Sequence, residues 1–110
     1  MKSYTDLNQS IILSKILLNE GADMCWQYQK DRWVGEPVYK DFPQFEYSTD
    51  KRDIPCWSLA ALYSVLPTFT IDSSDDKHFR MHCCKMFTEW HNNPIDCCVE
   101  MIQKIKEKYL

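Results

Sequence analysis

The residues best suited to chemistry gather in one stretch: His78, His82, Cys83 and Cys84, with His91 a little further on. Zinc takes three or four such nitrogen and sulfur ligands converging at about 2.0–2.3 Å. The spacing argues against it. In a strand His82 and Cys84 face one way and Cys83 the other, and adjacent cysteines are poor partners on one tetrahedral ion. The chain has no C-x-x-C pair, so a chelating partner would have to come from Cys97 or Cys98. No metal site and no cofactor is expected. Ordinary packing is the expected role of these side chains.

A nucleophilic thiol is the second chemistry to weigh. It needs a lowered pKa and a base in reach. Cys97 falls in the first turn of an expected helix, where the dipole favours a thiolate, and Cys56 holds a comparable place in another. Three histidines could serve as base. Six cysteines and three histidines produce such pairings by chance, however, and small buried thiols are common core filler. No catalytic residue is assigned. Asp72, Asp75 and Asp76 lack the spaced ladder and terminal Glu of a calcium loop, and a solvated turn is expected there. No G-x-S-x-G, H-E-x-x-H, Walker or dinucleotide fingerprint occurs, and two glycines leave little for a phosphate loop.

The aromatics Trp26, Tyr28, Trp33, Tyr39, Phe45, Tyr47, Trp57 and Trp90 could stack bases or sugars, or anchor a protein. Base stacking usually comes with basic interleaving, whereas Gln27, Gln29, Glu36 and Glu46 are not basic. Core packing should account for most of the rings. One exposed aromatic patch would favour a protein partner.

The elements that must position these groups follow from spacing. Thr5 or Asp6 caps a first helix expected to run to about Glu20, with Gly21 as a left-handed C-terminal residue. Its apolar residues point in three directions: Leu7, Ile11 and Leu18; Ile12 and Ile16; Leu13 and Leu17. Such a helix is buried or covered by a partner subunit. Met24, Trp26 and Tyr28 alternate onto one face of a hairpin that returns through Trp33. Pro37 and Pro43 bracket a short or edge strand at Val38 and Tyr39, and Phe45 and Tyr47 could supply another. Asp53, Ile54 and Pro55 should open a second helix from Cys56 to about Leu66, closed by Pro67 and buried nearly all round. Phe69 and Ile71 mark a strand from Thr68 to Asp72, with a turn through residues 73–76. Residues 78–90 form a long strand or a bulged pair. Asn93 and Pro94 start the last helix. Its apolar face is Ile95, Cys98, Ile102, Ile105 and Tyr109, with Ile102 at the centre of burial; Asp96, Glu100, Gln103, Lys104 and Glu107 lie opposite. The strand face of Met24, Trp26 and Tyr28 should cover it.

The order is α-β-β-(β)-α-β-β-α, an α+β fold of antiparallel hairpins forming a small sheet with about three helices. A chain of 110 residues, 45% apolar, suits one domain over residues 1–110. Thirteen basic against sixteen acidic residues give a net charge of −3, which offers no funnel toward phosphates. Neither a secretion signal nor a membrane span is visible. Six cysteines in 110 residues fall below the roughly 8–10% of a disulfide scaffold, and the vicinal pairs Cys83-Cys84 and Cys97-Cys98 cannot easily bridge themselves. Free thiols in a reducing, cytoplasmic setting are expected.

The stretches IPCWSLAALYSVLP (residues 54–67) and NPIDCCVEMI (residues 93–102) resemble a set of small uncharacterised proteins of Bacteroides-type gut bacteria and their phages or mobile elements. Members read much like IPxWSLxALLxVLP and NPxDAC, and Cys56 and Cys97 stand where that pattern takes alanine, which suits packing. The resemblance implies an accessory product without an assigned activity, cofactor or site residue. Taken together, the expected function is a non-enzymatic protein–protein interaction module, self-associating (at least a dimer) through an apolar helix surface, with no nucleic acid and no membrane as partner. The alternative is a small thiol- or metal-dependent enzyme using Cys97 or the strand from His78 to Cys84. A nucleic-acid-binding module is weaker, on charge.

Overall fold

The computed structural model describes residues 2–29, 32–33, 35–39, 53–75 and 77–109. The expected strand at Phe45 and Tyr47 lies outside them. The fold is α+β, with three α-helices and small antiparallel sheets among the described residues.

Helix α1 spans Leu7–Ser14. Asp6 caps it in a reciprocal box: its carboxylate accepts from Gln9 N, and the Gln9 side chain accepts from Asp6 N. The helix stops well before Glu20. Ser14 Oγ donates to the Ile11 carbonyl at 2.7 Å, and the chain tightens as Ile16 N reaches back to Leu13 O. A separate 3-10 turn, Asn19–Gly21, follows, and no glycine has positive φ, so Gly21 is not the expected left-handed residue.

Strand β1 (Met24–Trp26) lies between β4 (Val38–Tyr39) and β5 (Ile54–Cys56), both antiparallel. Strands β2 (Tyr28–Gln29) and β3 (Arg32–Trp33) form the expected hairpin. The expected helix start at Asp53 is overturned. Ile54, Pro55 and Cys56 pair with β1 instead, and Pro55 is accommodated because β5 is at the sheet edge, where a missing N–H costs no ladder bond. Helix α2, Leu59–Val65, begins only at Ser58, whose hydroxyl accepts from Ala61 N. Nor is α2 buried all round: Ala61 and Leu62 are covered, while Ala60, Ser64 and Val65 are exposed.

Strand β6 (Phe69–Asp75) runs through the expected turn, with a bulge between Ser73 and Asp75. It pairs with β7 (His78–Cys83), and β7 with β8 (Met86–Phe87). Residues 78–90 are thus the paired alternative. Cys84 and Lys85 make the tight connection with φ of 55° and 63°, the left-handed pair a two-residue hairpin turn requires.

Helix α3, Pro94–Tyr109, is capped by Asn93, whose Oδ1 accepts from Asp96 N. Its buried surface is wider than the expected stripe. Ile95, Cys97, Cys98 and Met101 are fully buried, Ile102 and Val99 nearly so, and Tyr109 is 58% exposed. Burial thus centres on Cys98 and Met101. Its cover differs too: α3 packs on β7, β8 and α2, around Leu13, Trp57, Leu62 and Met81. Met24, Trp26 and Cys56 form a second, smaller core beneath Tyr4, Leu7 and Ile54.

Two polar knots join these layers. Buried Thr5 donates its backbone N–H to the Trp57 carbonyl at 3.0 Å and accepts the Trp26 indole N–H on its own carbonyl at 3.2 Å. Its hydroxyl accepts from Trp57 N and bonds Ser10 Oγ at 2.8 Å. At the surface, Asp96 Oδ1 accepts from Gln9 Nε2 (2.8 Å) and Lys2 Nζ (3.1 Å), while Lys2 also reaches Asp6. Burial raises the Asp96 pKa, but the bonds from Gln9, Lys2 and Asn93 outweigh it and hold the carboxyl below its ordinary value.

Candidate functional site

Strand β7 carries the sequence-predicted ligands, and its pleat separates them. Met81 and Cys83 turn into the core, while His82 and Arg80 turn outward. His78 Nδ1 pairs with Asp75 Oδ1 at 3.0 Å, and His91 Nε2 with Glu100 Oε1 at 2.8 Å. Cys83 and Cys84 do approach each other, Sγ to Sγ 3.5 Å, because the left-handed turn swings Cys84 back. That departs from the alternation expected of a straight strand. Among the described residues no group of three or more His, Cys, Asp or Glu side chains converges as an ion would need. Asp72 and Asp75 are held by Arg80 and by His78 with Lys77 N; Asp76 lies outside the described residues.

The thiols are arranged for packing. Cys97 does sit in the first turn of α3, but it is fully buried and donates to the Phe79 carbonyl at 3.3 Å. Burial pushes its thiol up, against the helix dipole. Burial, helped by neighbouring Cys97, pushes Cys98 up to about 12. Burial and the bond to Cys84 push Cys83 up to about 11. Cys56 is likewise raised by burial, although Thr5 and Ser10 bond to it. A protonated, enclosed thiol is a poor nucleophile.

The outer face of the β6–β7–β8 sheet holds something different. His82 stacks on Phe87 across the hairpin, with centroids 4.2 Å apart and planes within 10°. The Arg80 guanidinium carbon lies 4.6 Å from the Phe87 centroid and 4.7 Å from that of Trp90. Phe87 is 50% and Trp90 43% exposed. Of this array the sequence reading singled out only His82 and Trp90. The signal for the rest was available: Arg80 and His82 alternate onto one face, and a tight turn at 84–85 brings Phe87 opposite His82.

The helices supply another open feature. A recess of about 390 Å³ lies between Ile12 of α1, Lys15 and Ile16 just after it, and Gln103, Lys106 and Glu107 of α3. Ile16 and Lys106 also line an adjoining recess of about 190 Å³, floored by Leu17, Leu66, Ile102 and Ile105. The two form one groove.

No family model, curated protein or solved structure matches the chain. Its own side chains carry the argument for function. Ile12 is 39% exposed, Val65 39%, and Leu18, next to Leu17, 80%. Two large aliphatic side chains, Ile12 and Val65, left open along one groove are a docking surface in form. The described residues include no helix long and apolar enough to cross a membrane.

Proposed function

We propose that this protein is a non-enzymatic protein–protein interaction module that pairs with a second copy of itself through the α1–α3 groove. The observation carrying the reading is the groove's composition. Its floor is aliphatic, and its rim holds both signs of charge, Lys15 and Lys106 beside Glu107. A two-fold interface sets a surface against itself, so a mixed rim can pair lysine with glutamate where a single-signed rim would repel. The apolar residues of α1 that point away from the core gain a cover in this arrangement. Free thiols at all six cysteines suit a reducing cytoplasm. The likeness of residues 54–67 and 93–102 to small proteins of Bacteroides-type bacteria and their mobile elements supports an accessory role. The thiol-enzyme alternative is disfavoured by the burial of Cys97 and Cys98.

Light scattering at micromolar concentration tests the pairing. The expected mass is twice the 13.2 kDa of the chain. Val65→Glu combined with Ile12→Glu should return it to one chain's mass without altering the circular dichroism spectrum, since both side chains line the groove and are partly in solvent. A wild-type mass of one chain would end the reading.

A further inference from the structure

We propose that Arg80 is the docking point for a carboxylate on an acidic, extended segment of a partner protein, and that Asp72 occupies this point when the partner is absent. The guanidinium lies against Phe87 and Trp90, each within 5 Å of its carbon, so its orientation is set by two rings. Rings over its faces leave hydrogen bonding to its edge, the fork geometry that matches a carboxylate. That edge is under-used. Nε is enclosed and has no hydrogen-bond partner among the described residues, so the terminal nitrogens are the donors an incoming carboxylate would meet. Nη2 reaches Asp72 Oδ2 at only 3.4 Å, whereas a strong charge-assisted bond lies near about 2.7–2.9 Å. Asp72 is 52% exposed and Arg80 34%, so the carboxylate can swing into water and free the fork. Phe87 and Trp90, both about half in solvent, would then receive the aliphatic part of the incoming side chain. Trp and Arg together are the side chains most often found at protein hot spots.

A polyphosphate backbone fits less well. It would need several cations along its track, whereas this array offers one guanidinium, set between two rings for a single carboxylate. The face is also separate from the α1–α3 groove, so pairing with a second copy leaves it open.

Anisotropy of a fluorescein-labelled hexaglutamate peptide, titrated with the full chain at low salt, tests the proposal. Saturable binding is expected. Arg80→Lys keeps the charge but loses the fork and should weaken binding at least about tenfold. Asp72→Asn removes the competing carboxylate and should tighten it by about threefold or more. That gain cannot come from a misfolded variant. Three results would overturn the proposal: no saturable binding, equal affinities in Asp72→Asn and wild type, or tighter binding of a labelled oligothymidylate than of hexaglutamate. Loss of self-association in Arg80→Lys would also overturn it, by making a second copy the occupant.

Discussion

Six cysteines invite a search for reactivity, and their surroundings convert them into something else, a source of alkaline instability. An ordinary thiol titrates at 9.0, whereas burial places Cys98 at about 12 and Cys83 at about 11. Below pH 9 the folded and unfolded chains both keep these protons, and the thiols contribute no pH dependence. Above it the unfolded chain loses protons that the native state retains, so the unfolded state binds fewer and stability falls as pH rises. The loss should begin near pH 9 and continue toward about 12 for Cys98. Urea midpoints measured from pH 7.5 upward should decline over that window, and Cys98→Ala should make the decline shallower. A Cys98→Ala profile parallel to wild type would show that its thiol is not held in the protonated form.

Helix α3 is the element whose packing can be tested most directly. Met101 is fully buried and Ile102 is 5% exposed, so Met101→Ala and Ile102→Ala should each cost about 2–4 kcal/mol in denaturant melts. Glu107→Ala, in solvent, should change stability by less than about 0.5 kcal/mol. Glu100 differs from the neutral position its polar face suggests. It accepts from Glu89 N and from His91 Nε2, so Glu100→Ala should cost about 1 kcal/mol. The extent of α3 was legible because Asn93, Pro94 and a sustained 3.6-residue period agree with one another. The start of α2 was not. Pro55 reads equally as a helix first turn and as an edge-strand residue, and only the distant pairing with Cys25 decides between them. The end of α1 was hidden for a similar reason, since aliphatic residues continue past Ser14 while the backbone turns. At the candidate site, strand alternation correctly separated Cys83 from His82. The Arg80 array depends on a turn at two non-glycine residues with positive φ, which propensity does not favour.

Viewed whole, the molecule has two cores of unequal size. The larger is enclosed by β6, β7, β8, α2 and α3; the smaller rests on three-residue strands β1 and β5 with Tyr4 and Leu7 above. Subglobal opening should begin where fewer apolar contacts resist it. In native-state hydrogen exchange, amides of β1 and β5 should exchange faster than those of β7 and α3; equal rates would mean that the two cores open as one unit. The clamp between Lys2 and Asp96 joins positions 94 apart in the sequence. A ribosome makes the lysine first, and at about 5–20 residues per second the aspartate follows roughly 5–20 s later. Through that interval Gln9 and Lys2 lack the carboxylate that fixes α1 against α3. The Lys2 side of this contact therefore waits while the residues between are made, with the aliphatic helix beside it open to any chaperone or sister chain nearby.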